Sequence, residues 1–254
     1  MEARLQKIIS QWGIASRREA EEMIRQSRVR INGILAYLGQ KVDPQQDIIT
    51  IDGEIVSGEQ RPTLTYLLLH KPSGVVSTCH DPQGRTTVLD LLPPKLRQGL
   101  GIHPVGRLDA NSTGALILTN DGELTFALTH PRHSVTKTYR VTVKGHPSPA
   151  VLEMWRNGVV LAGRKTRPAQ VRLLESFAEQ SCLEVILQEG RNRQIRRVAE
   201  QLGYPVLKLH RTAIGVIKLQ TSTRPCLKAG EYRHLTTEEI NFLKQQIQYL
   251  PNKD

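Results

Sequence analysis

Apolar positions along the first sixty residues change period twice. Leu5, Ile8, Ile9 and Trp12 recur at i, i+3, i+4 and i+7, the spacing that gathers side chains on one stripe of an amphipathic helix. Ser16 then offers an N-cap with Glu19 at the capping-box position, and Ala20, Met23 and Ile24 share a face of the helix that follows. In RVRING the period drops to two: Val29 and Ile31 alternate with Arg28 and Arg30 ahead of an Asn32-Gly33 turn, a hairpin signal. The short strand IITI runs into a second such turn, Asp52-Gly53. These elements predict a compact module over residues 1–60.

The polar stretch SGEQRPT, residues 57–63, suits a short linker. Beyond it, residues 64–246 alternate short strands (LTYLLLH, GALILT, TYRVTV, AQVRLLE, SCLEVIL, IGVIKL) with helical pieces such as ELTFALTH and AVLEMWRN. A last helix, EEINFLKQQIQYL, opens on a Thr236/Glu239 capping box. Strands that follow strands, with helices interspersed irregularly, predict an α+β domain built on a mixed, mostly antiparallel sheet.

Composition narrows the function classes. Lys plus Arg number 35 against 24 Asp plus Glu, a net charge of +11 that favours polyanionic partners, because each neutralised phosphate releases condensed counterions. The surplus is uneven: up to Gly33 there are seven basic residues and four acids, and from there to residue 60 one basic residue and five acids. Two helices and a hairpin would therefore present one basic end. The longest apolar stretch, Leu64 to Leu69 with Thr65 inside it, is far below the roughly 20 residues that span a bilayer. The start, MEARLQKIISQW, carries charge where a signal peptide would place its apolar run, so a cytoplasmic protein is expected. Cys79, Cys182 and Cys226 are far apart, without a CxxC pair or a histidine cluster at metal-ligand spacing, and are expected to be reduced thiols.

Three segments carry candidate chemistry. In HPVGRLDANSTGALILTNDG, Asp109 lies in a loop bounded by Gly106 and Gly114 and held by the flanking strands IHPV and GALILT. A turn aspartate that bonds the amides of Asn111 or Ser112 is the plain role for it; a reactive carboxylate is the other. In KTYRVTV, Tyr139 belongs to a strand, where its ring can pack in the core or support an unstacked base. In EGRNRQIRRVAEQLG, Arg191, Arg193, Arg196 and Arg197 crowd the start of a helix whose Ile195, Val198 and Leu202 face inward and which Gly203 ends. Positive charge at the positive end of a helix dipole calls for an anion, either phosphate or Asp109. His103, His130 and His133 are expected to fill surface or loop roles.

Residues 3–53, through RLQKIISQWGIASRREAEEMIRQSRVRING, resemble the small RNA-binding module first described in small-subunit ribosomal protein number four. Such modules hold structured RNA by phosphates and shape, which makes Arg4, Lys7, Arg17, Arg18, Arg28 and Arg30 the expected contacts and leaves Trp12 to the core. Nearly the whole chain resembles the pseudouridine synthases of the RsuA type, most specifically in GRLDANSTGALILTNDG. The resemblance implies a small N-terminal αα-β RNA-binding module (1–60) followed by a pseudouridine-synthase catalytic domain (64–246). It makes Asp109 the catalytic residue and places Tyr139, Arg196 and Leu209 around it, with Arg107, Arg191, Arg193 and Arg197 on phosphate. Arg193 stands where relatives often have His, a departure expected not to touch the chemistry.

The implied reaction, uridine to pseudouridine, needs no metal and no organic cofactor. The implied partner is ribosomal RNA or a precursor ribosomal subunit, with no membrane involved and the chain acting as a monomer. KPSGVVSTCHDPQGRTTVLDLLP and GQKVDPQQDIITIDG resemble the members acting on large-subunit (23S) RNA more than those acting on the small subunit. The alternative is a non-catalytic RNA-binding or ribosome-assembly protein that keeps the fold.

Overall fold

A computed structural model describes residues 2–58, 62–129, 135–221 and 225–248 of the chain. The chain divides into two compact units, one of Met1–Thr65, Leu92–His103 and Thr119–Gly122, the other of Tyr66–Leu91, Pro104–Leu118 and Glu123–Asp254. Part of the expected linker, residues 59–61, and two of the expected loop histidines, His130 and His133, lie outside the described residues.

The first unit opens with β1 (Ala3–Arg4), α1 (Leu5–Gln11) and α2 (Arg17–Arg25). Ser16 caps α2 as the sequence predicts: its hydroxyl accepts from the Glu19 amide at 3.2 Å while the Glu19 carboxylate accepts from the Ser16 amide at 2.8 Å. Short strands follow: β2 (Val29–Ile31), β3 (Ile34–Leu35), β4 (Lys41–Val42), β5 (Ile49–Ile51) and β6 (Glu54–Val56). β3-β2-β5-β6 form one antiparallel sheet, and β1 pairs with β4. Both predicted hairpin turns are present, with Asn32 at φ 52° and Asp52 at φ 53°, each followed by a left-handed glycine. Leu5, Ile8, Ile9 and Trp12 are buried together with Ala20, Ile24, Val29 and Ile31, so the helical and strand periods converge on one core. The unit also contains α3 (Pro94–Arg97).

The second unit is built on a sheet of nine strands. In chain order they are β7 (Tyr66–Lys71), β8 (His103–Pro104), β9 (Thr113–Thr119), β10 (Lys137–Lys144), then, past the small β11/β12 hairpin (Val160–Leu161, Arg164–Lys165), β13 (Gln170–Ser176), β14 (Gln180–Leu187), β15 (Val206–Ile214), β16 (Ile217–Lys218) and β17 (Tyr232–His234). The spatial order is β13-β14-β10-β15-β9-β7-β17, with β8 and β16 adding short rungs to β9 and β15. The sheet is mixed and mostly antiparallel: β15 runs parallel to β9, and β10 is antiparallel to both β14 and β15. Helices α4 (Gly122–Thr129), α5 (Pro149–Asn157), α6 (Gln194–Gln201) and α7 (Thr237–Gln248) complete it. The central strands β7 and β9 are buried on both faces, which is why LTYLLLH and GALILT read as apolar runs rather than as alternations. Val141, Val143, Leu183 and Val185 of the sheet pack with Trp155 of α5 and with Ile195 and Val198 of α6 in one core cluster.

The segment IGVIKL departs from its sequence expectation. It is not one strand: β15 ends at Ile214, Gly215 turns at φ 55°, and β16 folds back with Ile217 opposite Ile214. The strand that matters there, VLKLHRTAI, lies upstream; charged and polar side chains between its apolar ones hide it.

Candidate active site

The loop from Val105 to Ser112 is fastened by its backbone before any of its side chains act. Val105 N–H donates to Ile117 O at 2.8 Å, tying the loop's entry to β9, and the Ser112 amide donates to Asp109 O at 3.0 Å, closing its tip. Ser77 bonds Leu108 twice, its hydroxyl donating to the carbonyl at 3.0 Å and accepting from the amide at 3.2 Å. The Gly74 amide donates to Ala110 O at 2.8 Å. Lys71, at the end of β7 and fully buried, donates from Nζ to Pro72 O, Ala110 O and Ser112 O at 2.9, 3.2 and 2.8 Å. Burial pushes its pKa down to about 8, opposed by the nearby Asp109 carboxylate and reinforced by Arg211. Sequence reading missed Lys71, although it begins the quoted segment KPSGVVSTCHDPQG.

Gly114 owes its place to the sheet. At φ 113° it faces Arg211 across the parallel β9/β15 pair, and a Cβ there would lie 2.2 Å from Arg211 O and 2.6 Å from its N. Its role is to let two strands close on each other.

Fastened in this way, Asp109 presents its carboxylate to α6 and not to the amides of its own turn. Arg193 Nη1 donates to Oδ2 at 3.2 Å, and Arg196 Nε lies 3.7 Å from the same oxygen. Arg196 is largely buried and braces the loop as well, with Nη2 3.3 Å from both Asn111 O and Ser112 Oγ and Nη1 3.4 Å from Val206 O. Burial pulls its pKa down, the neighbouring Arg193 charge adds to that, and Asp109 opposes it. Arg193 caps α6 in a left-handed conformation, φ 50° and ψ 30°, and is half exposed. At the position expected to stand apart from the chemistry, Arg193 makes the shorter contact with the Asp109 carboxylate. Of the arginines at the start of α6, Arg193 and Arg196 meet Asp109 and Arg191 meets Glu189.

Asp109 opens into a cavity of about 200 Å³ lined by Arg107, Leu108, Tyr139, Leu209, Lys137 and Arg211 among others. Tyr139 on β10 is half-buried and packs against the core cluster that contains Leu209, while the Arg211 guanidinium stands 6.0 Å from the centre of its ring. Leu209 on β15 supplies apolar wall at 9% exposure. Arg107 and Arg197 are exposed, and only the first lines the cavity. Arg191 is turned to the β11/β12 hairpin, donating to Arg164 O at 2.9 Å and Lys165 O at 2.6 Å and contacting Glu189 at 3.3 Å. In the first unit Arg4, Arg17, Arg18, Arg28 and Arg30 are exposed and Lys7 is half-buried. Arg28 is held bidentately by Asp52 at 2.6 and 2.9 Å, and Arg30 donates to Gly33 O at 2.9 Å.

A carboxylate among cations, at the mouth of a small cavity with a ring on one wall and an apolar side chain beside it, can take in a flat polar ring and act on it as base or nucleophile. Comparison with known proteins agrees with that chemistry. Residues 65–201 match the RNA pseudouridylate synthase family and residues 3–48 the S4 domain. The chain is 39% identical to the ribosomal large subunit pseudouridine synthase B of Bacillus subtilis over 95% of both chains. It is 37% identical to the protein of that name from Pseudomonas aeruginosa, over 98% of this chain and 63% of the other. A crystal structure of a pseudouridylate synthase superposes with a TM-score of 0.67 at 32% identity, covering 94% of this chain and 99% of that one. On sequence, fold and the matched relatives together, the chain belongs to the RNA pseudouridylate synthase family, with an S4 domain at its N-terminal side.

Proposed function

We propose that this chain converts a uridine of large-subunit ribosomal RNA to pseudouridine, in the cytoplasm and as a monomer, with Asp109 as the catalytic residue. The observation that carries the assignment is that Asp109 is the only carboxylate lining the cavity among the described residues. The net change breaks the N1–C1′ bond and forms a C5–C1′ bond; the C5 proton is lost, N1 gains one, and no electrons are exchanged with any other reactant. Arg193 and Arg196 hold the carboxylate at the cavity. Tyr139 supports the extruded base, offsetting part of the few kcal/mol that unstacking costs, and Leu209 supplies apolar wall that excludes water beside it.

The large subunit is favoured by the names of the relatives from Bacillus subtilis and Pseudomonas aeruginosa. A precursor subunit or free RNA is the accessible form, since a base inside a finished subunit is out of reach. Arg107 at the cavity and the exposed Arg197 of α6 are offered to phosphate, and Arg4, Lys7, Arg17, Arg18 and Arg30 supply positive charge for phosphate contacts in the N-terminal unit. Nothing supports the alternative of a non-catalytic assembly protein.

The test is release of tritium from ribosomal RNA labelled at C5 of uridine, with large- and small-subunit RNA offered separately to the parent protein and to Asp109→Ala. Release from large-subunit RNA by the parent alone is expected. Release by the variant would remove Asp109 from the reaction, and release only from small-subunit RNA would overturn the target.

A further inference from the structure

Two cations in the same cavity have no part in the reading above. Lys137 opens β10 and Arg211 lies on β15; Tyr139, two residues along β10, is paired with Arg211 across the ladder. Arg211 is 5% exposed, and its Nε donates to Ala115 O at 2.6 Å, which fixes the guanidinium. One of its terminal nitrogens, Nη2, is buried and has no partner among the described residues. Lys137 also lines the cavity, and its ammonium forms no ion pair or hydrogen bond among the described residues. Burial, reinforced by the Arg211 charge, pushes its pKa down to about 8. The one carboxylate that lines the cavity among the described residues is already engaged by Arg193 and Arg196. Two like charges desolvated side by side, with donors left over, form an arrangement that costs stability in the empty protein. A ligand that brings an electron-rich oxygen repays it.

We infer that Lys137 and Arg211 form an oxygen-binding corner for the target base, donating to one carbonyl oxygen of the uracil and holding the negative charge that the ring acquires when it leaves C1′. The inference rests on the proposed function. When the N1–C1′ bond breaks with its electron pair on N1, the detached ring is an anion whose charge is shared between N1 and the two carbonyl oxygens. C5 then supplies the pair that forms the C5–C1′ bond, the C5 proton leaves, and N1 takes up a proton. Fixed donors aimed at the oxygen stabilise the ring more in that state than in the ground state, which is the condition for accelerating the step. The corner carries donors and no acceptor, so placed at O4 it takes the carbonyl of uracil and opposes the amino group that cytosine carries at the same position. Its place beside the Tyr139 ring favours the base over a backbone phosphate, which the exposed Arg107 and Arg193 at the same cavity meet more readily.

The experiment compares the full-length parent with Lys137→Met and Lys137→Arg, measuring single-turnover tritium release at saturating ribosomal RNA alongside RNA affinity across a salt series. Lys137→Met is expected to slow the saturated rate about a hundredfold while leaving affinity and its salt slope unchanged, and Lys137→Arg, which keeps the charge, is expected to recover most of the rate. An unchanged saturated rate in Lys137→Met overturns the inference. So does a loss confined to affinity with a shallower salt slope, which would make Lys137 a phosphate contact. Should Lys137→Met melt far below the parent, acylation of Lys137 in the parent, read by mass spectrometry, decides. The uridine-containing substrate should slow it strongly, whereas polyadenylate, with the same phosphates and no uracil, should not; equal protection overturns the inference. A parent that releases no tritium defeats the proposed function itself, whereas a parent and a Lys137→Met variant that react alike defeat only the oxygen-binding corner.

Discussion

Lys71→Met removes the buried ammonium under the Asp109 loop and keeps most of the side-chain volume. The lysine gains three charge-assisted bonds to Pro72, Ala110 and Ser112 carbonyls, each worth about 1.5–3 kcal/mol. Against that stands the cost of burying the charge. A pKa of about 8 in the folded protein, against an ordinary 10.5, corresponds to about 3 kcal/mol. That pKa is already the balance of bonds and desolvation, so the loss in the variant is set by the Pro72, Ala110 and Ser112 carbonyls left without their Lys71 donor, about 1–3 kcal/mol each, and Lys71→Met should be measurably less stable in urea at pH 7.

The sign with pH follows from linkage. Between about pH 8 and 10.5 the unfolded chain keeps the Lys71 proton while the folded protein releases it, so this group makes stability rise with pH through that window; below about 8 its penalty is present in full. Lys71→Met lacks the term, and the stability gap between parent and variant should therefore widen from pH 8 upward, by about 2 kcal/mol at pH 9.5. Single-turnover rate should fall at least a hundredfold in the variant, because a displacement of about 1 Å in a reacting group costs that much. Equal stability of parent and variant at pH 7, or a gap that narrows as pH rises, would refute the account of Lys71 as the loop's anchor.

Other substitutions test other parts of the argument. Gly114→Ala should cost about 2–5 kcal/mol in denaturant titrations, because its Cβ would meet the Arg211 backbone; stability within 0.5 kcal/mol of the parent (about the spread of an ordinary surface change) would mean that β9 and β15 can part. Arg196→Ala should lower the single-turnover rate more than Arg193→Ala, since Arg196 braces Asn111 and Ser112 as well as the carboxylate; the reverse order would make the shorter contact the decisive one. Ser16→Ala should cost the first unit about 1 kcal/mol through its lost helix cap, read as a lower urea midpoint with turnover at saturating RNA unchanged.

What could be read from the chain and what could not divide along a physical line. Capping boxes, Asn-Gly and Asp-Gly turns and the stripe from Leu5 to Trp12 are set by neighbours a few residues apart, and each is found where the pattern puts it. Lys71 was hidden because its acceptors lie 39 and 41 residues downstream, so nothing near it in sequence marks a lysine that must be buried. From the sequence Gly114 reads only as a loop boundary, because its partner strand is nearly a hundred residues away and VLKLHRTAI does not look like an interior strand. Asp109, Tyr139 and Arg196 stand out from their loop, strand and charge settings, but their catalytic roles, and Leu209 altogether, come from family resemblance; composition and periodicity alone favour a turn role for Asp109.

The positive charges around Asp109 divide the work by burial. Lys71 and Arg196, both sequestered, spend their donors on loop carbonyls and the Ser112 hydroxyl, so the backbone that carries the acid is held from below and from the α6 side. The direct hydrogen bond to the carboxylate comes from Arg193, which is half exposed and sits in a left-handed conformation that costs energy for a residue with a Cβ. A carboxylate has about four acceptor positions, and here the exposed arginine uses one of them. The strained, solvent-facing partner is the one an incoming nucleotide can displace at least cost, while the buried one keeps the acid oriented. Rigidity is thus concentrated in the loop's main chain, and freedom is left at the carboxylate proposed to react.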